Sequence, residues 1–332
     1  MTVETTMGAS SAQRGTEAAE RRKPTPPPFP AFHAPGQAEV VSENSLVHRE
    51  LSYAIAVGFR RLSMDLWLPR RVAERPVPLV VWIHGGAFQL GDRRELPPTF
   101  GPDSVFRLLN QAGIACATVD YRHSLEAPFP AQLHDIKAAV RYLRHHADVL
   151  GLDPARIGAW GESAGGHLAA LLGLTGHRAD LEGGLGVQGH PSSVSAVVDF
   201  YGVSSLNDMP PMTAANDFMG PALLAAVPEG VSVHPETMLV GGSKDPRVLD
   251  AASPRSYVTP DAATFLLVHG DSDGLVPLSQ SELLAGLLQE SGVEHQLVTI
   301  EGADHCFFFA EDQMDRILAL SVDFFRQHFR LP

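Results

Sequence analysis

The amino-acid sequence predicts an α/β fold: a mostly parallel central sheet with helices on both faces and antiparallel strands at its N-terminal edge. After Pro78, uncharged runs rich in β-branched residues alternate with segments of helical periodicity, which is typical of parallel strands buried on both faces. Between residues 46 and 68 the period is two, which predicts strands with one buried face near the sheet edge. The predicted buried face carries Leu62, Met64, Leu66 and Leu68.

The parallel part is predicted from apolar runs for the strands and from a spacing of three to four residues for the helices. The predicted strands are 78–83, 114–119, 156–160, 194–200, 264–268 and 295–300. The predicted helices are 133–143, 166–172, 279–290 and 314–329. With 332 residues, of which 44% are hydrophobic, the chain can bury one large core or two modest ones.

The segment Gly161-Glu162-Ser163-Ala164-Gly165 joins one of these strands directly to a helix. A serine between two glycines in this context is typical of a nucleophile elbow, a strained turn that projects the hydroxyl above the sheet. Glycine fits at the flanking positions because the neighbouring strand and helix leave little room. The N-terminus of the helix also favours negative charge beside the serine. Ser163 is therefore the candidate nucleophile.

The strand at 78–83 runs into His84-Gly85-Gly86-Ala87-Phe88. This pattern is typical of a loop whose backbone N–H groups bind the oxyanion that forms when a nucleophile attacks a carbonyl carbon. We expect N–H groups of Gly85, Gly86 and Ala87 to form this oxyanion hole. The N–H of Ala164, the residue after the nucleophile, completes it.

An acid and a histidine follow later in the chain, each just after a predicted strand. Asp273 follows the strand at 264–268, and His305 follows the strand at 295–300. The order serine, acid, histidine is that of α/β-hydrolases and differs from the orders in chymotrypsin and subtilisin. We predict that Ser163 attacks the carbonyl, that His305 transfers the proton, and that Asp273 orients His305.

Two other aspartates are alternatives for the acid. Asp271 lies two residues before Asp273, in a turn that it could brace with its own carboxylate. Asp304 is the neighbour of His305, and adjacent side chains diverge, so it is badly placed to orient the imidazole.

Taken together, the motifs resemble those of α/β-hydrolase esterases, in the group that includes bacterial feruloyl and acetyl-xylan esterases and is close to the hormone-sensitive-lipase-like carboxylesterases. The resemblance runs from about residue 46 to 329 and includes Asp120-Tyr121-Arg122, Phe129-Pro130-Ala131-Gln132, and Ala252-Ser253-Pro254 with Tyr257-Val258. It implies the α/β-hydrolase fold and a serine carboxylesterase for small to medium acyl or aryl esters. It also favours Asp273 over Asp271.

The resemblance has one departure. Hormone-sensitive-lipase relatives usually have a third glycine where this chain has Ala87. An alanine with suitable φ and ψ can still present its N–H, so the oxyanion hole is expected to form.

Two other functions stay open from the sequence. An amidase or formamidase of the same fold uses the same nucleophile, base and oxyanion hole. A non-catalytic ligand-binding relative is expected to lack a member of the triad, and all three candidates are present here.

Several polar residues near the motifs are interpreted as structural. We expect His84 to form a hydrogen bond within its loop, and His167 to donate to a backbone group or to lie in the core. Glu162 is interpreted as the partner of a nearby base such as Arg122.

Two segments flank or interrupt the predicted α/β-hydrolase domain, which comprises residues 46–332. Residues 1–45 are predicted to form a partly disordered tail, or an arm over the active site with contacts from Phe29, Phe32 and His33. Residues 202–238 lack regular alternation and are predicted to form either a cap over the pocket or a surface excursion.

Composition excludes several other classes of protein. The net charge of −13 leaves no basic surplus for nucleic acid. Cys116 and Cys306 give neither a disulfide framework nor zinc-site spacing, and we expect no metal and no cofactor.

No run approaches the ~18 apolar residues of a membrane span. Residues 1–23 lack the apolar core of a secretory signal, so a cytoplasmic enzyme with a small-molecule ester substrate is expected. The oligomeric state stays open, a homodimer included.

Overall fold

The sheet has two parts that differ in strand direction. A computed structural model describes residues 31–56, 60–70, 76–210 and 234–331. Its strands are β1 (Glu39–Val40), β2 (Ser45–Ile55), β3 (Arg61–Pro69), β4 (Val77–Ile83), β5 (Ala115–Val119), β6 (Leu152–Glu162), β7 (Ala196–Phe200), β8 (Thr264–Gly270) and β9 (His295–Ile300). Within the described residues they form one sheet in the order β1-β2-β3-β5-β4-β6-β7-β8-β9. Neighbours from β1 to β5 are antiparallel, and those from β5 to β9 are parallel.

Helices cover both faces of this sheet. In the described residues they are α1 (Ser104–Gln111), α2 (Ala131–His145), α3 (Ala147–Leu150), α4 (Ala164–Leu174), α5 (Pro235–Leu239), α6 (Pro246–Ala251), α7 (Ser279–Glu290) and α8 (Met314–His328). One hydrophobic cluster includes Leu133, Leu168 and Leu284 from α2, α4 and α7. The other includes Phe106 from α1 and Ile317 from α8. Because both faces are covered, β4 is buried at every position. The predicted fold class is confirmed.

The antiparallel edge differs from the prediction in one respect. Strand β3 was expected to bury one face, but both faces are buried from residue 64 onward. Trp67 packs against Phe106 of α1, with 5.3 Å between ring centroids. Asp65 is buried because its carboxylate accepts a hydrogen bond from Arg93 Nε at 2.9 Å. The expectation of a single buried face is therefore wrong, since a helix and an arginine from distant parts of the chain cover the second one.

The first described residues pack along β2 and α2. The Ile55 N–H donates to the carbonyl of Ala31 at 3.1 Å, and the His33 N–H donates to that of Ser52 at 3.0 Å. The ring of Phe32 lies edge-on to Tyr142, with centroids 6.0 Å apart. Phe29 and most of the predicted arm lie outside the described residues. In the part of the chain that is described, no helix is both long and apolar enough to cross a bilayer.

Candidate active site

Ser163 occupies a strained turn between β6 and α4, with φ of 53° and ψ of −120°. A Cβ at Gly161 would lie 2.1 Å from the carbonyl oxygen of Gly165, and one at Gly165 would lie 2.1 Å from that of Ile83. Only glycine fits at both positions, because these distances are far below van der Waals contact. The Ser163 N–H donates to the carbonyl of Phe200 at 2.9 Å, which ties the turn to β7. The sequence motif thus folds into the elbow that it predicted.

His305 and Asp273 meet Ser163 at the carboxyl edge of the parallel strands. His305 Nε2 lies 3.0 Å from Ser163 Oγ. On the other side of the ring, His305 Nδ1 donates to Asp273 Oδ2 at 2.8 Å. The three side chains come from the ends of β6, β8 and β9, and parallel strands bring such ends together. The structure therefore joins all three predicted residues in one hydrogen-bonded chain.

The two alternative aspartates have other partners. Asp271 is exposed, and its carboxylate accepts the N–H of Gly302 at 2.8 Å. Asp304 accepts the N–H of His305 at 2.7 Å and that of Gly274 at 2.9 Å. Both carboxylates hold loop backbone, and the imidazole of His305 is held by Asp273.

Asp273 is surrounded by donors that keep it ionised. Burial alone would raise the pKa of its carboxyl, but the charge of His305 and hydrogen bonds from His269 and His305 hold the pKa well below its usual range. Its second oxygen accepts the N–H groups of Leu275 and Val276 at 3.0 and 2.8 Å. An ionised acid at this position can stabilise an imidazolium on His305.

Ser163 and His305 line a cavity of about 210 Å³. The other side chains around it are mostly apolar and include Phe88, Leu90, Leu96, Val203, Met209, Pro235, Leu275 and Val276. Val203, Met209 and Pro235 belong to the predicted cap segment, of which residues 211–233 lie outside the described residues. Neither Phe32 nor His33 is among the lining residues, and Phe32 packs against Tyr142 instead. In the described part of the chain, no group of three His, Cys, Asp or Glu side chains is arranged to hold a metal ion.

The predicted oxyanion loop lines the same cavity with its backbone. Gly86, Ala87 and Phe88 have consecutive positive φ angles of 99°, 54° and 62°. Ala87 therefore adopts the left-handed conformation in which related loops use glycine. Within the described residues, no acceptor takes the N–H groups of Gly86, Ala87 or Ala164. These three line the cavity beside Ser163 and are the available donors.

Gly85 differs from the other predicted oxyanion donors. Its N–H donates to Glu162 Oε1 at 2.6 Å. This bond takes the Gly85 N–H out of the predicted oxyanion hole, and it also corrects the interpretation of Glu162. Arg122, the expected partner of Glu162, instead pairs with Asp135, with an Nη2–Oδ1 distance of 2.7 Å. Burial raises the pKa of Glu162 to about 7, against the opposing effects of the His305 charge and the Gly85 N–H.

Tyr121 holds the loop from its other side. Its hydroxyl donates to the carbonyls of His84 and Gly85 at 2.9 and 3.2 Å, and its ring stacks on that of His84 with 4.4 Å between centroids. His84 Nδ1 lies 2.8 Å from the Gly85 carbonyl, so His84 bonds within its loop as predicted. Burial lowers the pKa of His84 to about 4, which keeps the ring neutral. The role of Tyr121 was missed, although its motif was part of the family resemblance.

Tyr201 and His269 were also missed by sequence reasoning. The ring of Tyr201 lies edge-on to His305, with 4.8 Å between centroids. His269 Nε2 lies 3.3 Å from Asp273 Oδ2, while its Nδ1 lies 2.7 Å from Ser281 Oγ. Both residues stand at or just beyond the carboxyl end of a parallel strand, which is the signal that could have indicated them. His167 is fully buried with Nδ1 2.8 Å from the Val203 carbonyl, as expected.

With this geometry established, comparison with known proteins identifies the family. The family model BD-FAE matches residues 64–288, which is more than half of the chain. The chain belongs to the BD-FAE family. The family resemblance read from the motifs is thereby confirmed, and the matched range of this BD-FAE chain includes Ser163 and Asp273 but ends before His305.

Named relatives of this BD-FAE chain are esterases. It is 29% identical over 270 residues to esterase LipQ of Mycobacterium tuberculosis, and the alignment covers 81% of this chain and 59% of LipQ. It is 30% identical over 253 residues to esterase LipC of the same organism, covering 72% of this chain and 58% of the relative. The chain thus spans less than two thirds of the length of either relative.

Solved structures show the same fold over most of the chain. A truncated carbohydrate esterase from gut microbiota is 26% identical and superimposes with a TM-score of 0.67. The alignment covers 86% of this chain and all of the other. The propionate-bound esterase Est2 of the planctomycete Thermogutta terrifontis is 25% identical and superimposes with a TM-score of 0.64. The alignment covers 86% of this chain and 94% of the other. The sheet and helices described above are therefore those of an α/β-hydrolase.

Proposed function

We propose that this protein is a serine carboxylesterase that hydrolyses small to medium acyl or aryl esters through an acyl-enzyme. The hydrogen-bonded chain from Ser163 through His305 to Asp273, on the wall of an apolar cavity, is the observation that carries this proposal. The esterase names of the relatives LipQ and LipC support it.

The first half of the reaction forms the acyl-enzyme. Ser163 Oγ attacks the ester carbonyl carbon while His305 Nε2 takes its proton. The carbonyl oxygen becomes an oxyanion that accepts hydrogen bonds from the N–H groups of Gly86, Ala87 and Ala164. Each such donor contributes roughly 3 kcal/mol in the transition state. The C–O bond to the alcohol then breaks, and the alcohol leaves with the proton from His305.

The second half releases the acid. A water molecule gives its proton to His305 and attacks the acyl carbon of the ester on Ser163, through a second oxyanion in the same hole. The bond to Ser163 Oγ breaks, and His305 returns the proton to the serine. Asp273 stays ionised throughout and stabilises the imidazolium in both halves, which its strongly lowered pKa favours.

The cavity favours neutral, apolar substrate groups. Its walls are mainly aliphatic and proline side chains, and the carboxylates among its lining residues are Glu95 and Glu162. No lysine or arginine side chain lines it in the described part of the chain. Esters with an anionic acyl group are therefore expected to be poor substrates, because they would meet acidic groups without a cation to pair with. The carbohydrate-esterase neighbour adds acetylated sugars to the substrates to be tested.

A panel of p-nitrophenyl esters with increasing acyl length, extended to acetylated sugars and feruloyl esters, tests the proposal. We expect turnover of at least the short neutral esters, and covalent labelling of the wild type but not of Ser163→Ala by a fluorophosphonate. A folded wild type that labels but cleaves the matching anilides faster than the esters would indicate an amidase. A folded wild type with neither labelling nor turnover would indicate a non-catalytic relative. The cytoplasmic location stays a prediction.

A further inference from the structure

We infer that Glu162 is a positioning residue of the oxyanion hole: its side-chain oxygen holds the backbone N–H of Gly85 and so fixes the loop that carries the donors Gly86 and Ala87. This inference rests on the proposed function. It assigns to the residue before the nucleophile a role in the geometry of the transition state, separate from the roles of the triad.

The sheet places the two partners opposite each other. β4 and β6 are parallel neighbours, and Ile83 pairs with Gly161 in their register. Gly85 and Glu162 therefore follow the last paired residues of adjacent strands. The side chain of Glu162 is buried, and Oε1 accepts the Gly85 N–H at 2.6 Å, a short charge-assisted bond when the carboxyl is ionised. The strand that carries the nucleophile is thus joined directly to the oxyanion loop.

The absence of a side chain at Gly85 creates the space for this carboxyl group. A Cβ at Gly85 would lie 2.2 Å from Glu162 Oε1 and 2.6 Å from its Cδ. Unlike Gly86, Gly85 has no positive φ that would itself require glycine. The contact with Glu162 is therefore the physical reason for glycine at this position.

The loop needs such an anchor because its backbone is strained. Gly86, Ala87 and Phe88 all have positive φ, and for the two non-glycine residues this conformation persists only when surrounding contacts enforce it. Tyr121 restrains the two carbonyls that precede the strained residues, at His84 and Gly85. The Glu162 bond restrains the N–H between them, so loss of Glu162 frees the start of the turn.

The bond to Gly85 needs an acceptor oxygen and does not need a negative charge. Glutamine keeps that oxygen, whereas alanine removes it. The charge of Glu162 also acts on its neighbours. The charge of His305 favours the ionised form of Glu162. Burial raises the pKa values of Tyr121 and Tyr201, and the charge of Glu162 raises them further. Comparing the two substitutions separates the hydrogen bond from the charge.

The first test measures kcat and KM of Glu162→Ala and Glu162→Gln on the best ester of the wild type, with sites counted by fluorophosphonate labelling. We expect Glu162→Ala to lower kcat about 10- to 100-fold with KM changed by less than about threefold, because misplaced donors weaken only the transition state. Glu162→Gln should retain kcat within about threefold. Glu290→Gln, an exposed residue on α7, is the control for loss of one negative charge.

A transition-state analogue gives an independent readout. An alkyl trifluoromethyl ketone adds to the serine and places an oxyanion in the hole. Its inhibition constant should rise in Glu162→Ala by about the factor by which kcat/KM falls. Wild-type kcat in Glu162→Ala, or a loss that is confined to KM, would overturn the inference. So would a Glu162→Gln variant as defective as Glu162→Ala, because the charge would then be the active feature.

A double variant tests the contact itself. Gly85→Ala should lower kcat at least as much as Glu162→Ala, since its methyl group occupies the position of the carboxyl group. In Gly85→Ala/Glu162→Ala the methyl group enters vacated space, so kcat should stay within about threefold of Glu162→Ala alone. Losses that multiply would contradict the contact. If Glu162→Ala does not fold, the single variants Gly85→Ala and Glu162→Gln test the inference instead. Gly85→Ala must then lower kcat, and Glu162→Gln must keep it. Absent ester turnover by the wild type would instead contradict the proposed function.

Discussion

The two sides of the candidate active site are held by different kinds of groups. On the acid–base side, His305 and Asp273 are side chains that bind each other, at 2.8 Å. On the oxyanion side, the acting groups are backbone N–H groups of a strained loop, and its anchors are the side chains of Tyr121 and Glu162. A substitution on the first side deletes a chemical group, whereas one on the second side moves a group that is still present. Their effects on catalysis should differ in size and in kind.

The largest effect is expected from the nucleophile and the base. Ser163→Ala and His305→Ala should each lower kcat on the order of 10⁵- to 10⁶-fold, and the double variant should be no worse than either, because the two residues act as one unit. Steady-state kinetics on a p-nitrophenyl ester, with circular dichroism to verify folding, checks this. Independent losses that multiply would show that Ser163 and His305 do not share a proton.

The next effect distinguishes the acid from its neighbour. Asp273→Asn should lower kcat by about 10⁴-fold, because the amide favours the wrong tautomer of His305. Asp271→Asn is the matched control and should stay within about threefold, since its exposed carboxylate binds the Gly302 N–H and the Ser272 hydroxyl and does not contact His305. The measurement is kcat for both variants on one substrate. The reverse order of effects would assign the acid to Asp271.

Substitutions on the oxyanion side should have smaller effects. Ala87→Gly should keep kcat within about threefold, because glycine adopts the φ of 54° without strain. Ala87→Val should lower kcat about tenfold or more, since a β-branched residue strongly disfavours that conformation. Kinetics of the pair, with thermal unfolding as the control for stability, checks this. Equal activity of the two variants would mean that the loop tolerates movement.

The difference between the acid–base side and the oxyanion side also explains which site residues the sequence could predict. Ser163 lies in a local glycine motif and His305 follows a strand end in a fixed chain order, so both can be predicted from local sequence. The choice of Asp273 over Asp271 also needed the family resemblance. The bond from Gly85 to Glu162 joins residues 77 positions apart, and no local pattern specifies it. The glycine at position 85 predicted a free N–H donor, but in the structure this N–H binds the carboxyl group of Glu162, which occupies the space beside Gly85.

The fold shows the same limit. The buried strand β4 and the helices of the parallel part were predicted because hydrophobic periodicity is a local property. The second buried face of β3 was not, because Asp65 is polar in sequence and is buried with partners such as Arg93, 28 residues away. Polar residues that are paired across the fold are therefore the ones that a pattern of hydrophobicity misassigns.

The last expected effect concerns stability instead of kcat, and it isolates the buried charge of Glu162. Its pKa is raised by burial from 4.5 to about 7, so the folded protein holds a proton there more tightly than the unfolded chain does. Between about pH 4.5 and about pH 7 the folded state therefore binds more protons, and stability falls as the pH rises through this window. Each pKa unit corresponds to about 1.4 kcal/mol, which gives about 3 kcal/mol across the window.

Glu162→Gln has no proton to release, so its free energy of unfolding should lack this component. Relative to the wild type, the variant should gain about 3 kcal/mol of stability between about pH 4.5 and about pH 8. Other buried acids, such as Asp199 with its pKa raised by burial to about 7, titrate in both proteins and cancel in the difference. Urea denaturation of both proteins across this range measures it. A difference independent of pH would show that the Glu162 carboxylate is well solvated, and that it holds Gly85 without any cost from burial.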